Sequence, residues 1–342
     1  MKLSDFDYIL PKERIAQVPL EPRDASRMMV LHRSDLSIED KHFYDLPDFL
    51  TSNDVLVFNK SKVIPARITF MFQEKECEIF YVREVEESLW EVMVRPGKLF
   101  QKGSHVVIDE YVSLDVEDVL PESEHGHRIV RITDTLGRDR IELLSAYGSI
   151  PLPPYIESKE GVDKYQNVYA TDPGSVAAPT AGFHFTESLL EKLRAKGIQM
   201  EFITLHVGPG TFLPVMTENI LEHSMHEEFF SLPEDVAQRL VEAKMQGKRI
   251  ISVGTTATRV LEHCARSGTL TAETGSTKLF CYPGYEWKCI DALITNFHLP
   301  KSTLLMLVSA LAGREFTLKA YEHAVKSEYR FFSFGDGMLI LP

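Results

Sequence analysis

Glycine and histidine residues are concentrated in two short segments of this chain. Residues 177–185 read AAPTAGFHF, and residues 204–214 read TLHVGPGTFLP. Each segment holds one histidine, His184 or His206, and a neutral imidazole can act as a general base or a hydrogen-bond donor. Glycines allow a ligand to approach the backbone closely, and the backbone N–H groups can then bind it. We therefore predict that both segments belong to a ligand-binding site.

A third segment, VGTTATR at residues 253–259, is typical of a strand that turns into a helix. The first N–H groups of a helix lack partners within it and can bind a carboxylate or a phosphate. Gly254, Thr255 and Thr256 stand at this point, and Arg259 is nearby in sequence. The phosphate-binding spacing G-x-x-x-x-G-K-[ST] is missing. Capping of the helix by Thr255 or Thr256 would explain the pattern equally well.

Two further histidines lie in the run His223-x-x-His226-Glu227-Glu228. The run lacks the H-E-x-x-H spacing of zinc proteases, so a role in proton transfer fits better than metal binding. A metal-dependent hydrolase built on His223, His226 and Glu227 is nevertheless an alternative. A purely structural role is also open for each histidine taken alone.

The elements that must position these residues follow from the spacing of apolar residues. After residue 150, strand-like runs such as 250–253 and 293–297 alternate with helix-like segments, which indicates a layered α/β domain. Ligands of open α/β sheets collect at the carboxyl ends of the strands. We expect the strand ends at His206, Gly254 and His298 to converge on one pocket.

Short β-branched and aromatic runs dominate from about residue 68 to residue 150, and this spacing favours a small β-barrel or sandwich. The proline-rich segment 150–155 then breaks the pattern. We predict a mixed α/β protein, in which a small β-barrel domain (68–150) is inserted into a discontinuous layered α/β domain (1–67 and 151–342). Near the end of the chain, residues 331–334 are predicted to form a strand.

Composition restricts the class of protein. The chain has 342 residues and a net charge of −13, which disfavours nucleic-acid binding over the whole surface but permits a local basic face. Such a face, or an ordinary solvated surface, would contain Lys60, Lys62, Arg67, Arg95, Lys98 and Lys102. A non-catalytic RNA-binding module is thus an alternative, although it leaves the histidine-bearing loops unexplained. No apolar run suits a membrane helix and no secretory signal is evident, so we expect a cytoplasmic location.

Several long motifs resemble those of one family. They are APTAGFHF, LHVGPGTFLPV, HEEFF, GTTATRVLE, TNFHLPKSTLLMLVSAL and YRFFSFGDGMLI, preceded by DFDYILPKERIAQVPLEPRDASRMMVL and NDVLVFNKSKVIPARI. Their order and spacing over essentially the full length are similar to those of the S-adenosylmethionine:tRNA ribosyltransferase-isomerase family of queuosine synthesis. The fold of that family is a mixed α/β domain with an inserted β-barrel.

The resemblance implies a transferase that moves the ribosyl part of S-adenosylmethionine onto 7-aminomethyl-7-deazaguanine at the wobble position of tRNA. The products would be epoxyqueuosine-tRNA, adenine and methionine. S-adenosylmethionine is consumed as a substrate, so no cofactor and no metal are expected. Its partners are then this tRNA and S-adenosylmethionine, and a monomer is expected.

This chemistry assigns roles to residues. A base must remove the acidic C5′ hydrogen beside the sulfonium, and the leaving adenine needs a proton or a hydrogen bond. We expect His184 or His206 to be the base, and His226 or His298 to serve the purine or the amine. The expected contacts of S-adenosylmethionine are Thr180, Gly182, Phe183, Gly208, Gly210 and Thr211, with Gly254, Thr255, Thr256 and Arg259 near its carboxylate. The expected tRNA contacts are Asn59, Lys60, Lys62, Arg67, Arg95 and Lys98.

Overall fold

The chain divides into two compact units in the computed structural model, which describes residues 1–121, 126–158, 164–212 and 215–342, without the side chains of 211 and 212. The first unit comprises Met1–Lys62, Pro153–Asp172 and Ala178–Pro342, and the second comprises Val63–Leu152 and Pro173–Ala177. Among the described residues, no helix is long and apolar enough to cross a membrane.

Strands and helices are numbered separately in chain order. The strands are β1 Arg27–His32, β2 Ser37–His42, β3 Asp54–Asn59, β4 Ser61–Val63, β5 Arg67–Phe72, β6 Lys75–Glu86, β7 Leu89–Arg95, β8 His105–Val107, β9 Val112–Val119, β10 Arg128–Asp134, β11 Gly148–Ser149, β12 Asp172–Ser175, β13 Gln199–Leu205, β14 Glu228–Leu232, β15 Arg249–Val253, β16 Glu273–Thr277, β17 Ala292–Asn296 and β18 Gly337–Leu341. The α-helices are α1 Leu46–Phe49, α2 Arg140–Tyr147, α3 Glu187–Ala195, α4 Glu234–Met245, α5 Thr255–Cys264, α6 Thr303–Ala312 and α7 Arg314–Lys326.

A nine-stranded mixed sheet in the order β16-β14-β13-β3-β15-β17-β18-β1-β2 organises the first unit. Strands β13, β3, β15 and β17 are parallel, so their carboxyl ends lie at one edge of the sheet, called here the carboxyl edge. Strand β18 runs antiparallel to β17 and parallel to β1. The first residues of β18 and β1 therefore lie at the carboxyl edge as well.

The parallel strands of this sheet are apolar because helices cover them. All six residues of β3 are buried. Helix α3 begins after Thr186, whose Oγ1 accepts a hydrogen bond from the N–H of Leu189 at 3.1 Å. Leu189 and Leu193 belong to the same buried cluster as Phe58 of β3. This cap and this apolar face fix the segment of 180–186 against the sheet.

The prediction of a strand at residues 331–334 is wrong. Phe332 has a φ of +76°, and the N–H of Gly335 donates to the carbonyl of Phe332 at 3.0 Å, so the chain turns here. The carboxylate of Asp336 accepts the N–H groups of Arg27 at 2.8 Å and of Arg330 at 2.7 Å. These long-range bonds hold the turn at the carboxyl edge, and β18 starts only after it.

The second unit is built on a seven-stranded antiparallel sheet in the order β11-β5-β6-β7-β10-β9-β8. Its buried face carries residues such as Trp90, Val92 and Leu114, which pack with Leu144 of α2. Register shifts mark bulges in β6 and β9, and such bulges bend and twist strands. Within the described residues the terminal strands β8 and β11 do not pair with each other, so the hydrogen bonding does not close into the expected barrel.

Candidate active site

The carboxyl edge brings together the segments that carry the predicted site residues. His206 follows β13, Gly254 follows β15, and Asn296 ends β17 two residues before His298. These strand ends lie at one edge of the sheet, and their convergence on one pocket stays a prediction. Because β3 and β15 separate β13 from β17, the ends of β13 and β17 are about 14 Å apart at roughly 4.8 Å per strand. The histidines consequently fall into two groups.

His184 is buried at the β17 side and bonded at both ring nitrogens. Its Nδ1 lies 2.7 Å from Oγ of Ser26, and its Nε2 lies 3.0 Å from Nδ2 of Asn296. Oγ1 of Thr180 donates to Oδ1 of Asn296 at 2.9 Å, which fixes the amide with its NH₂ toward the imidazole. Nε2 of His184 therefore accepts, and the proton resides on Nδ1. The ring also stacks on Phe43 with 3.9 Å between the centroids.

Both buried histidines are held in the neutral form. Burial lowers the pKa of His184 to about 3, and the charges of Arg23 and Arg330 add to the effect. Burial alone lowers the pKa of His298 to about 3. Nε2 of His298 lies 2.9 Å from Oγ1 of Thr295. Both imidazoles are weakly basic and hydrogen-bonded within the protein. They are therefore suited to positioning other groups rather than to accepting a proton from carbon.

His206 and His226 lie at the β13 side and are only half-buried. The His206 ring stacks on Phe229, with centroids 5.7 Å apart and an interplanar angle of 16°. The His226 ring packs directly on Gly210, where a Cβ atom would overlap it. Phe229 remains 45% exposed. This side thus offers two accessible imidazoles beside an exposed aromatic ring.

Arg259 holds the loop that contains Gly208. Its guanidinium pairs with Oε2 of the buried Glu228 and donates from Nε to the carbonyl of Leu279 at 3.0 Å. Oε1 of Glu228 accepts the N–H of Gly208 at 3.2 Å. The arginine expected at the methionine carboxylate is therefore engaged mainly in positioning the 208–210 loop, and only its buried Nη2 has no partner among the described residues.

The first turn of α5 has no side-chain cap among the described residues. Gly254 has a φ of +90°, a conformation that favours glycine, and the helix starts directly after it. The structure gives Thr255 no side-chain hydrogen bond within its described part, and Oγ1 of Thr256 is buried without a partner there. Side-chain capping by these threonines is thus not observed, and Ala181 lies next to Gly254.

Some predicted ligand contacts have packing roles instead. A Cβ on Gly182 would overlap the hydroxyl of Tyr169, so glycine is needed there for packing. Phe183 is buried, and its ring lies 4.8 Å below the guanidinium of Arg23 and stacks on Phe334. The side chain of Thr211 lies outside the described residues.

A recess of about 10 Å³ next to His184 was missed by sequence reasoning. It is lined by Pro19, Leu20, Arg23, Ser26, Phe183, His184, Ser333, Phe334 and Gly335. The run EPRDASR at 21–27 stands in the amino-terminal motif, but its residue types alone do not reveal that they meet the histidine loop.

The predicted tRNA contacts differ in exposure within each unit. In the first unit, Asn59 is 1% exposed, and its amide bonds both the N–H and the carbonyl of Leu205. Lys60 pairs with Asp172 at 3.3 Å, and Lys62 is exposed. In the second unit, Arg67 lies 3.5 Å from Glu78, whereas Arg95 and Lys98 are exposed. Asn59 therefore joins β3 to β13 rather than facing solvent.

A metal site finds no support in the part of the chain that the structure describes. No group of three or more His, Cys, Asp or Glu side chains is arranged there to hold a metal ion. The described structure therefore does not support the alternative of a metal-dependent hydrolase built on His223, His226 and Glu227.

Comparison with known proteins identifies the family. The sequence model described as "Queuosine biosynthesis protein" matches residues 3–340. Proteins named S-adenosylmethionine:tRNA ribosyltransferase-isomerase are 50% identical in Thermotoga maritima, over 100% of both chains, and 49% identical in Thermosipho melanesiensis, over 99% of this chain and 100% of the relative. The crystal structure of the S-adenosylmethionine tRNA ribosyltransferase from Thermotoga maritima matches with a TM-score of 0.58 and 42% identity, over 98% of this chain and 100% of that chain. Full-length agreement of this kind places the protein in the queuosine biosynthesis family.

Proposed function

We propose that this protein transfers and isomerises the ribosyl part of S-adenosylmethionine onto 7-aminomethyl-7-deazaguanine at the wobble position of tRNA. The reaction gives epoxyqueuosine-tRNA and releases adenine and methionine. Membership of the family and the names of the relatives support this reaction. The arrangement of His206, His226 and Phe229 at the carboxyl edge is the observation in the structure that carries it.

His206 is the better candidate for the base that removes the C5′ hydrogen. It is half-buried, whereas His184 is buried, has a lowered pKa and is bonded at both nitrogens. His226, which packs on Gly210, can donate to the leaving purine or accept a proton from the amine. His184 and His298 then serve as positioning residues.

The adenosine part of the substrate fits the β13 side of the edge. The exposed ring of Phe229 offers a stacking surface for a purine, and the 208–210 loop offers backbone groups for the ribose. The first turn of α5, at Gly254, Thr255 and Thr256, can bind an anionic group through its backbone N–H groups. The methionine carboxylate is assigned to this turn, toward the centre of the sheet.

The proposed tRNA contacts are cations of each unit taken by itself. Lys60 and Lys62 of the first unit, and Arg67, Arg95 and Lys98 of the second, would bind phosphates. We propose that residues 68–150, which lie in the second unit, form the inserted domain of the family. The enzyme acts as a monomer in the cytoplasm, where its tRNA substrate is found.

The decisive experiment mixes the protein with S-adenosylmethionine and tRNA that carries 7-aminomethyl-7-deazaguanine. Mass spectrometry then follows adenine, methionine and the modified nucleoside. We expect both small products and a nucleoside heavier by the ribosyl-derived group, and none of them with tRNA that carries guanine at the wobble position. Absence of all three products from a protein that is folded and binds S-adenosylmethionine would refute the proposed substrate.

A further inference from the structure

Two arginines near His184 each have a buried nitrogen that is not used. Nη2 of Arg23 donates to the carbonyl of Lys164, and Nη2 of Arg330 donates to the carbonyl of Val18. Nη1 of both residues is buried and has no hydrogen-bond partner among the described residues. Burial of a hydrogen-bond donor without a partner costs free energy, and burial of a cation without an anion costs more.

The nearby acids do not neutralise these arginines. Glu21, whose charge acts on Arg23, pairs with Nζ of Lys164 at 2.6 Å. Asp336, whose charge acts on Arg330, uses both carboxylate oxygens to accept backbone N–H groups. Neither guanidinium makes a direct ion pair with a carboxylate of the described residues. Burial lowers the pKa of both arginines, as expected for cations with incomplete compensation.

The recess beside His184 gives the charge of Arg23 access to a ligand. Arg23 lines it together with Ser26 and Ser333, and its Cζ lies 4.8 Å from the centroid of the Phe183 ring. Arg330 is close enough for its charge to act on His184. With a volume of about 10 Å³ the recess suits the end of a ligand and not a purine ring. A guanidinium in such a place is typical of carboxylate and phosphate recognition.

We propose that Arg23, assisted by the charge of Arg330, binds an oxyanion of a substrate in the recess beside His184. This inference rests on the function proposed above. In that reaction two groups have the required chemistry: the carboxylate of S-adenosylmethionine, which would then lie in this recess in place of the first turn of α5, and a phosphate of the tRNA near the modified nucleotide. The hydrogen-bonded chain of Ser26, His184 and Asn296 would hold the floor of the recess without carrying charge.

The test uses Arg23→Gln and Arg330→Gln in the full-length protein, with Arg23→Lys as the conservative variant. Arg33→Gln is the matched control, because Arg33 is also bonded to backbone carbonyls, at the opposite edge of the sheet after β1. Calorimetry measures binding of S-adenosylmethionine and of its decarboxylated derivative. Steady-state assays measure KM for tRNA at several salt concentrations.

Two results would support the proposal and identify the ligand. If the carboxylate is bound, Arg23→Gln lowers the affinity for S-adenosylmethionine by about 10-fold or more. Wild type and variant then bind the decarboxylated compound with equal affinity. If a phosphate is bound, the affinity for S-adenosylmethionine is unchanged and KM for tRNA rises about 10-fold or more. The number of counterions released on tRNA binding, read from the salt dependence, then falls by about one. Arg23→Lys should recover part of the loss in either case, because it keeps the charge.

The proposal is overturned if both glutamine variants keep both affinities within about twofold of wild type, as Arg33→Gln is expected to do. It is also overturned if the loss is equal for S-adenosylmethionine and its decarboxylated derivative and tRNA binding is unchanged, because the loss is then not due to an anion. Wild-type product release tests the reaction itself. A failure of the proposed reaction and a failure of the proposed anion binding in the recess would therefore be seen in different measurements.

Discussion

Oγ of Ser26 lies 2.7 Å from Nδ1 of His184, although 158 residues separate the two in the chain. Since Ser26 also donates to the carbonyl of Arg23 at 2.8 Å, its hydroxyl accepts the imidazole N–H. Asn296 donates to the other nitrogen. Protonation of His184 would place a second N–H against the amide NH₂ of Asn296 and break that bond. The site is thus built to keep one neutral tautomer.

The stability of the folded protein should decrease as the pH is lowered, and His184 is one cause. The pKa is about 3 in the folded protein, against 6.5 for an unperturbed histidine, so the unfolded chain binds the proton more readily. Stability is complete above pH 6.5 and is lost progressively as pH falls toward 3. At pH 5 the loss due to this residue is about 2 kcal/mol. Urea unfolding at pH 7.5 and pH 5 should show it, and His184→Asn should reduce the difference. An unchanged difference in the variant would contradict the assignment.

Replacement of His206 should affect chemistry and not folding. We expect His206→Asn to lower the single-turnover rate of adenine release by about 100-fold or more, the usual contribution of a general base. His226→Asn should lower it as well, to an extent that depends on the proton it transfers. The rate is measured by rapid quench with saturating substrates. A loss below about tenfold for His206→Asn would remove it as the base, provided that the circular dichroism spectrum is that of wild type.

The packing of His226 on Gly210 allows a matched pair of variants. A methyl group at Gly210 would overlap the His226 ring and must displace it, whereas a Cβ at Gly275 of β16 meets no atom within 4 Å. We expect Gly210→Ala to lower the turnover rate about tenfold or more by moving the imidazole, and Gly275→Ala to stay near wild type. Equal activities of the two variants would show that the position of His226 does not matter for the reaction.

The pair of Arg249 and Asp54 should contribute to stability alone. It joins the first residues of β15 and β3, at the edge opposite the site, with bonds of 2.6 and 3.0 Å to a carboxylate that is fully buried. Arg249→Leu leaves the Asp54 carboxylate without its charged partner and should lower the free energy of unfolding by about 3 kcal/mol. This value is at the low end for breaking a buried ion pair, because Arg249 is partly exposed. Turnover per folded molecule should be unchanged.

Chemical denaturation measures this effect. The control is Lys326→Ala, which breaks an exposed pair with Glu322 and should cost less than about 0.5 kcal/mol. If Arg249→Leu is as stable as the control, the buried pair does not stabilise the sheet.

The salt dependence of tRNA binding should identify which cations bind phosphates. A Lys60→Ala/Lys62→Ala variant and an Arg95→Ala/Lys98→Ala variant should each lower the slope of log K against log salt by about 0.7–0.9 for every phosphate that the variant no longer neutralises. Lys319→Ala, an exposed lysine of α7, should leave the slope unchanged. Filter binding at four salt concentrations is sufficient. A pair of residues whose replacement leaves the slope as in wild type does not bind the tRNA backbone.

Local patterns account for much of the framework. The cap of Thr186, the apolar face of α3 and the apolar runs of β3, β15 and β17 are all local signals, since short-range hydrogen bonds and burial periodicity set them. The rule that ligand loops follow the carboxyl ends of parallel strands then placed His206, Gly254 and His298 at one edge. The open edges of the small sheet and the turn at 331–334 could not be predicted, because both depend on partners distant in sequence.

The sequence by itself determined the family, the elements and the edge of the sheet at which the histidines collect, because these follow from motifs and from spacing along the chain. Only the tertiary structure decided which histidines are buried and which are half-exposed. His184 and His206 are equivalent in type and in local setting, yet one is buried between Ser26 and Asn296 and the other stacks beside an exposed Phe229. Solvation and partners set the basicity of an imidazole, and both arise from long-range packing that no local pattern records.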